Sequence, residues 1–443
     1  MWRSENRGDS WSTVSGDLTK DEERLSLPIM GGVQSFDNAW DVYAMSTYNT
    51  ITSLSESKID ENILYVGTDD GIIQYTKNGG SSWTKLTVDK LPDTPKEAFV
   101  NDIKADLHNK DVAYVALDNH KFGDYKPYLF KTTDGGKKWV SITNGLPSNT
   151  IVWRIVQDHV NPNLLFLGTE YGVYVSLNQG AKWHKFSNGL PTISVRDMAI
   201  QKRENDLVIA TFGRSFYVLD DYSPLRTFNS SSLESDAILF EPRKALQYNQ
   251  VYGGTSSDGM SSYYAENPDY GANIYYYIKE GEPSLVSKRL SLEAFKGVES
   301  RIIEKFIEVG LTTSKSITQK TVREIEDLTD LSKKEISNVK NIIEANAKKG
   351  VSNTFPGWEQ LDEELNETYA KAVLIIKDVD GNVVKEISGP YSSGVHTFNW
   401  DLKTGVTTTI MSGSSRSKSL NFNVKPGEYT LELYKSYNSE LTL

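Results

Sequence analysis

The first half of the chain is written in short apolar runs separated by polar turns. Ile63-Leu64-Tyr65-Val66-Gly67, Val112-Ala113-Tyr114-Val115-Ala116 and Leu164-Leu165-Phe166-Leu167-Gly168 are strand-length and continuously apolar. Such runs, bounded by turn residues, predict short strands. Each is preceded at the same distance by another strand signal: Ile51-Thr52-Ser53-Leu54, Val100-Asn101-Asp102-Ile103 and Val152-Trp153-Arg154-Ile155. A fourth pair, Val195-Arg196-Asp197-Met198 and Leu207-Val208-Ile209-Ala210, fits with one gap. A third strand and an octapeptide turn follow in most units.

That octapeptide reads Ser/Thr-x-Asp/Asn-x-Gly-x-x-Trp and occurs four times. The copies are Ser4, Asn6, Gly8 and Trp11; Thr76, Asn78, Gly80 and Trp83; Thr132, Asp134, Gly136 and Trp139; and Ser176, Asn178, Gly180 and Trp183. The chemistry is that of a hairpin turn: the Asp/Asn side chain accepts backbone N–H bonds, Gly takes a positive φ, and Trp packs beneath. These sixteen residues are therefore read as structural. Four antiparallel strands per repeat is the pattern of a β-propeller blade.

The motifs resemble the Asp-box (BNR) repeats of sialidases, sortilin-like receptors and two-propeller xyloglucan-degrading enzymes, and are most similar to bacterial sortilin-like Asp-box proteins. In those proteins a phrase like Ala210-Thr211-Phe212-Gly213-Arg214-Ser215-Phe216-Tyr217-Val218-Leu219-Asp220-Asp221 closes the propeller. The resemblance covers about half the chain and implies a fold rather than a chemistry. Residues 1–14 supply only the last two strands of a unit, and the unit ending near Asp221 has three. The expectation is thus a partial propeller of about four and a half blades over 1–222. It also implies that the chain is the C-terminal part of a longer protein whose upstream blades are its natural partner.

Residues 223–268 have the composition of a connector. Strand signals return at Ala272–Ile278, then at Ala372–Lys377, Val383–Ile387, Gly394–Leu402 and Pro426–Leu433, with an Asp380-Gly381 hairpin turn. The Asn399-Trp400-Asp401 and Pro426-Gly427-Glu428-Tyr429 phrases resemble the Ig-like module of flagellar hook-cap proteins. The expected β-sandwich occupies 269–280 and 369–443. The whole is mainly β, interrupted by an α-helical insert at 281–368. Two capping boxes, Thr321-x-x-Glu324 and Ser332-x-x-Glu335, mark helix starts in it. The insert weakly resembles a tandem helix-hairpin-helix, but its second turn, Asp330-Leu331-Ser332, lacks the glycines that expose N–H groups to phosphate. Nucleic acid is disfavoured as its partner, and a spacer or protein contact is the better reading.

Composition narrows the chemistry. With 59 acidic and 48 basic residues the net charge is −11, against a general nucleic-acid or anionic-membrane binder. There is no cysteine, so thiol nucleophiles and Cys-ligated metals are excluded, and the five scattered histidines suggest no metal site. No cofactor is expected. No apolar run approaches the ~20 residues of a membrane span, and no signal peptide is visible. The Asp-box resemblance nevertheless implies an extracellular, periplasmic or cell-surface protein.

Candidate ligand-face residues follow from the alignment of first strands, which places Ser53, Asp102, Arg154 and Asp197 at equivalent positions. Trp153, Arg196, His120, Tyr171 and Arg214 lie on neighbouring segments, with Tyr125 and Phe212 nearby. One reading makes this a polar groove with aromatic platforms for a glycan or peptide; the other has Arg154 bridging Asp102 and Asp197 between inner strands. Glycoside hydrolysis needs two carboxylates roughly 5–10 Å apart, one with a raised pKa. Arg154 beside both aspartates is expected to lower their pKa values, and no family catalytic residue maps onto the chain. The expected function is non-catalytic binding of protein or carbohydrate. The alternatives are a glycoside hydrolase fragment lacking its catalytic blades, and a scaffold whose insert contacts nucleic acid.

Overall fold

A computed structural model describes residues 1–23, 26–29, 32–33, 48–187, 189–229, 232–249, 269–287, 297–311, 314–348, 357–405, 407–410, 417–438 and 440–442. It divides into two compact units, Met1–Leu233 and Glu234–Leu443. The described sheets are antiparallel throughout and the chain is mainly β.

The first unit contains four successive meander sheets. Sheet 1 is built from Ile51–Glu56, Leu64–Thr68, Ile72–Thr76 and Thr84–Thr87. Sheet 2 uses Phe99–Ala105, Ala113–Asn119, Asp124–Thr132 and Trp139–Ser141. Sheet 3 uses Val152–Gln157, Leu165–Thr169, Gly172–Ser176 and His184–Phe186. Sheet 4 has three described strands, Val195–Gln201, Asp206–Thr211 and Phe216–Leu219. Ahead of them, Trp2–Arg3 pairs with Ser12–Thr13 as a two-stranded ribbon.

The first strands of consecutive sheets run side by side. Each inter-sheet layer then buries its own core. Tyr65, Ile73, Val100, Val115 and Phe130 fill the layer between sheets 1 and 2, and Tyr114, Leu129, Val152, Leu167 and Trp183 that between 2 and 3. Phe166, Val173, Val195, Leu207 and Tyr222 fill the third. Sheets 2 and 3 are therefore covered on both faces, which explains why their second strands are apolar runs rather than alternating ones. Close approach also requires small residues. A Cβ on Gly67 would lie 2.2 Å from Val100, and one on Gly168 would lie 2.9 Å from the Val195 carbonyl. Their ladder equivalents are Ala116 and Ala210.

The octapeptide turns repeat one hydrogen-bond network. In each, the hydroxyl of Ser4, Thr76, Thr132 or Ser176 donates to the following Asn or Asp side chain and accepts from the glycine N–H. The Asn/Asp oxygen then accepts a further backbone N–H four residues on, at 2.9–3.0 Å. Gly8, Gly80, Gly136 and Gly180 take φ of 86–97°. Beyond φ, a Cβ on Gly136 would press to 2.9 Å against Tyr75 of the preceding sheet. Trp139 and Trp183 are buried as expected, whereas Trp11, on the ribbon, is exposed.

Of the segment expected as a connector, residues 230–231 and 250–268 lie outside the described residues, and the remainder has structure of its own. Ser223–Arg226 forms a short 3₁₀ turn that returns to sheet 3. There Arg226 donates from Nε and Nη2 to the buried Asp158 carboxylate, each at 2.9 Å, and Tyr222 donates at 2.7 Å. Burial alone would push the Asp158 carboxyl up; the bonds from Arg226, Tyr222 and the Asn161 N–H outweigh it and hold it below 3.8. Further on, Ala237–Leu239 pairs with Ala272–Ile278 in the second unit.

That unit packs two sheets on one core. The strand Ala272–Ile278 lies between Ala237–Leu239 and Gly394–Trp400, while Lys371–Lys377 lies between Val383–Pro390 and Thr430–Tyr437. Ile274, Tyr276, Phe398 and Trp400 meet Leu374 and Ile376 between them. The inserted residues form helices Ser300–Glu308, Ser314–Thr318, Val322–Leu328, Lys333–Lys348 and Trp358–Asn366. A separate cluster of Ile302, Phe306, Ile317, Ile325, Ile336 and Val339 holds the first four. Both capping boxes form: Thr321 and Glu324, and Ser332 and Glu335, bond reciprocally.

Two predictions follow from these contacts. Gly136→Ala combines a strained φ with a clash and should cost about 2–3 kcal/mol. Gly123→Ala, with positive φ but open space around it, should cost nearer 1 kcal/mol. Equal urea midpoints for the two would contradict the proposed packing against Tyr75. Because the Asp158 pKa is lowered on folding, its contribution is complete above its ordinary value and fades as the pH falls through the folded one. Asp158→Asn should accordingly flatten the acid limb of urea stability measured between about pH 2 and pH 5; an unchanged slope would count against the Arg226 tether.

Candidate functional site

The first strands of the four sheets carry the same irregularity at the same place. The ladder skips one residue between Ile51 and Ser53, between Val100 and Asp102, between Val152 and Arg154, and between Val195 and Asp197. Thr52, Asn101, Trp153 and Arg196 are the extra residues of four equivalent β-bulges. A bulge re-aims its side chain and is enriched beside functional sites. Here Asn101, Trp153 and Arg196, from three adjacent sheets, converge on one open recess of ≈ 300 Å³. Phe99, Asp118, His120, Lys121 and Arg154 complete its lining.

The residues after the bulges stitch the sheets together. Neighbouring sheets share no backbone ladder, so outward-facing N–H and C=O groups of the first strands need side-chain partners. Ser53 Oγ accepts the Ile103 N–H at 2.9 Å and donates to Asp102 at 3.3 Å. Asp102 Oδ2 accepts the Ile155 N–H at 3.1 Å. Asn101 donates to the Val152 carbonyl at 2.9 Å, and Thr52 to that of Val100 at 2.7 Å. Arg154 lies across the line: Nη1 is 3.3 Å from Asp102 and Nε 3.1 Å from Asp197.

The electrostatics of Asp102 differ from the sequence expectation. Its side chain is 0% exposed, and burial raises its pKa despite the opposing charges of Lys104 and Arg154. The expected lowering by Arg154 is overridden because a dry carboxylate loses more hydration than one shared, partly wet guanidinium returns. A raised pKa would suit a general acid. Asp102 nonetheless sits behind Arg154 with its oxygens taken, and a ligand in the recess does not meet it.

Trp153 does not fit the reading that made it an aromatic platform. It is only 8% exposed. The Arg196 guanidinium lies over its ring at 3.8 Å, His120 meets it edge-on at 5.8 Å, and its Nε1 donates to Glu170 at 2.8 Å. Glu170 also accepts from Ser194 at 2.9 Å and lies 3.9 Å from Arg196 Nη2. His120 Nδ1 is bonded to the buried carboxylate of Asp118, which fixes the ring and leaves Nε2 as its other polar atom. Lys121 Nζ stands 4.9 Å above the Phe99 ring.

Of the expected ligand-face residues, His120, Trp153, Arg154 and Arg196 line the recess, while Asp102 and Asp197 hold Arg154 from below and beside. Tyr171 and Arg214 do not line it. Tyr171 is exposed on the Thr169–Gly172 turn, and Phe212, 71% exposed, reaches the rim with Arg196 at 5.5 Å. Sequence reasoning missed Phe99, Asn101, Asp118, Lys121 and Glu170. For Asp118 and Glu170 a signal existed: both occupy the position of Asp69, two residues beyond the small residue opposite the bulge. Among the described residues no group of His, Asp or Glu side chains could hold a metal ion, and no helix is long and apolar enough to cross a membrane.

No family model matches the chain, and no curated protein matches it. Among solved structures it is similar to a GH74 enzyme of Niastella koreensis, with 15% identity and a TM-score of 0.32 over 40% of this chain and 29% of that one. It is similar to YCF48 of Cyanidioschyzon merolae at 17% identity and TM-score 0.29, over 38% of this chain and 55% of that one. A third is the Swd1 β-propeller domain of Myceliophteria thermophila, at 14% identity and TM-score 0.32, over 41% of this chain and 56% of that one. The chain thus spans less than two thirds of the length of each.

The asymmetry around Arg154 is testable. Arg154→Met leaves the buried Asp102 carboxylate with Lys104, 3.4 Å away, as its remaining cation and should cost about 2 kcal/mol in urea unfolding of the full chain. Asp197→Asn removes a partner that is 64% exposed and should cost no more than about 0.5 kcal/mol. Comparable losses for both variants would mean that Arg154 does not serve Asp102.

Proposed function

We propose that the chain is a non-catalytic, extracytoplasmic binding or scaffold protein of the sortilin-like Asp-box kind. In this reading 1–222 is a propeller segment of about four and a half blades, followed by an Ig-like module with a helical insert, and protein or glycan is recognised on the face bearing the first-strand bulges. The carrying observation is the convergence of the bulge residues Asn101, Trp153 and Arg196 from three sheets on one recess.

The disposition of the carboxylates favours binding over hydrolysis. Asp102 is buried behind Arg154, Asp118 is bonded to His120, and Glu170 is committed to Trp153 and Ser194. No described pair stands open across the recess as an acid with a nucleophile or base. The helical insert offers little to nucleic acid, since Arg301 pairs with Glu335, Lys305 with Glu308 and Lys333 with Glu326.

Peptide and glycan arrays probed with the full chain test this reading. A bound ligand whose affinity falls about tenfold in His120→Ala is expected, from loss of one recess hydrogen bond and its packing. Xyloglucan incubated with the chain should release no reducing ends. Steady release that vanishes in Asp102→Asn, or arrays without any binder, would overturn the proposal.

A further inference from the structure

The state of the aromatic rings in the recess narrows the ligand class. An open aromatic face stacks on the apolar face of a sugar, but both inner rings here are already capped by cations. Arg196 covers Trp153 at 3.8 Å and Lys121 covers Phe99 at 4.9 Å. What faces the opening is therefore positive charge backed by π-electron density, with Trp153 itself buried.

These two cations are also poorly paired. Lys121 forms no ion pair with any described carboxylate, and Asp69 feels its charge only at longer range. The carboxylate nearest Arg196, Glu170, stands at 3.9 Å and spends its hydrogen bonds on Trp153 and Ser194. The recess carboxylate, Asp118, is turned onto His120. In a chain of net charge −11, the recess lining sets Lys121, Arg154 and Arg196 against the single carboxylate of Asp118, a local excess of positive charge. Guanidinium held flat by a ring presents its N–H edge in a fixed plane, the geometry that carboxylates accept.

We propose that the recess recognises the side-chain carboxylates of an acidic peptide segment, gripped between Lys121 and Arg196, while His120 Nε2, whose ring gives its Nδ1–H to Asp118, accepts a peptide N–H of the same segment. This rests on the binding reading above and specifies its ligand. Stacking of a neutral sugar on the two inner rings is blocked, because a cation already covers each. An acidic peptide is favoured over an acidic sugar for the same reason: a uronic acid would bring a carboxylate but find both inner rings already capped.

Fluorescence anisotropy on the full chain with labelled hexaglutamate, hexaglutamine and an oligogalacturonate distinguishes the cases. Hexaglutamate should bind, weaken steeply between low and physiological salt, and exceed the other two by at least about tenfold. Lys121→Gln and Arg196→Gln, both at exposed positions, should each weaken it about tenfold while leaving the circular dichroism spectrum unchanged. Equal binding of hexaglutamine, or hexaglutamate binding insensitive to both variants, would overturn the proposal. Preference for oligogalacturonate would assign the recess to acidic glycans instead. If an array ligand without acidic groups binds and is lost in His120→Ala, the binding reading stands and this assignment falls.

Discussion

The first unit depends on how adjacent sheets satisfy the polar backbone of strands that no ladder joins. First strands lie side by side, close enough that Gly67 and Gly168 tolerate no side chain, yet their outward N–H and C=O groups have no β partner. Leaving such groups buried and unpaired would cost ~1–3 kcal/mol each. Short polar side chains supply the bonds instead: Ser53 and Ser55 accept from Ile103 and Ala105, Asp102 from Ile155, and Gln157 from Leu107. The apolar layers supply the bulk of burial, but these bonds set which strand meets which and in what register.

The recess is a by-product of the same constraint. Stitching fixes the residue after each bulge, and the bulge turns its extra residue towards the open end of the strand. Where that residue is Thr52, it becomes one more stitch; where it is Trp153 or Arg196, it builds a surface. The chemistry therefore changes from sheet to sheet while the backbone repeats. This also explains why Asp102 is an unsuitable catalyst despite a raised pKa, since the burial that shifts it is the burial that hides it.

Much of the architecture was legible in the chain because repetition multiplies weak signals. One octapeptide is a plausible turn, but four with the same hydroxyl, Asn or Asp, and glycine identify a recurrent hairpin. The site was less legible. Alignment placed Ser53, Asp102, Arg154 and Asp197 at one level but could not see the bulge, so one of its two readings had Trp153 as an open platform, where a cation covers the ring. Asp118 and Lys121 were missed because the turn after the second strand in sheet 2 is a 3₁₀ turn, His120–Phe122, rather than Thr-x-x-Gly. Ala237–Leu239 was read as connector because three residues carry no periodicity, and only pairing with Ala272–Ile278 makes them a strand.

Amide hydrogen exchange reports the inter-sheet stitching residue by residue. The N–H groups of Ile103, Ala105 and Ile155 point away from their own sheets and are bonded only by side chains from the sheet before. They should be protected to within about tenfold of the ladder amides of Val115 and Leu167, because opening any of them requires separating two sheets. Exchange at the rates of exposed turn amides, with Val115 and Leu167 still protected, would contradict the account.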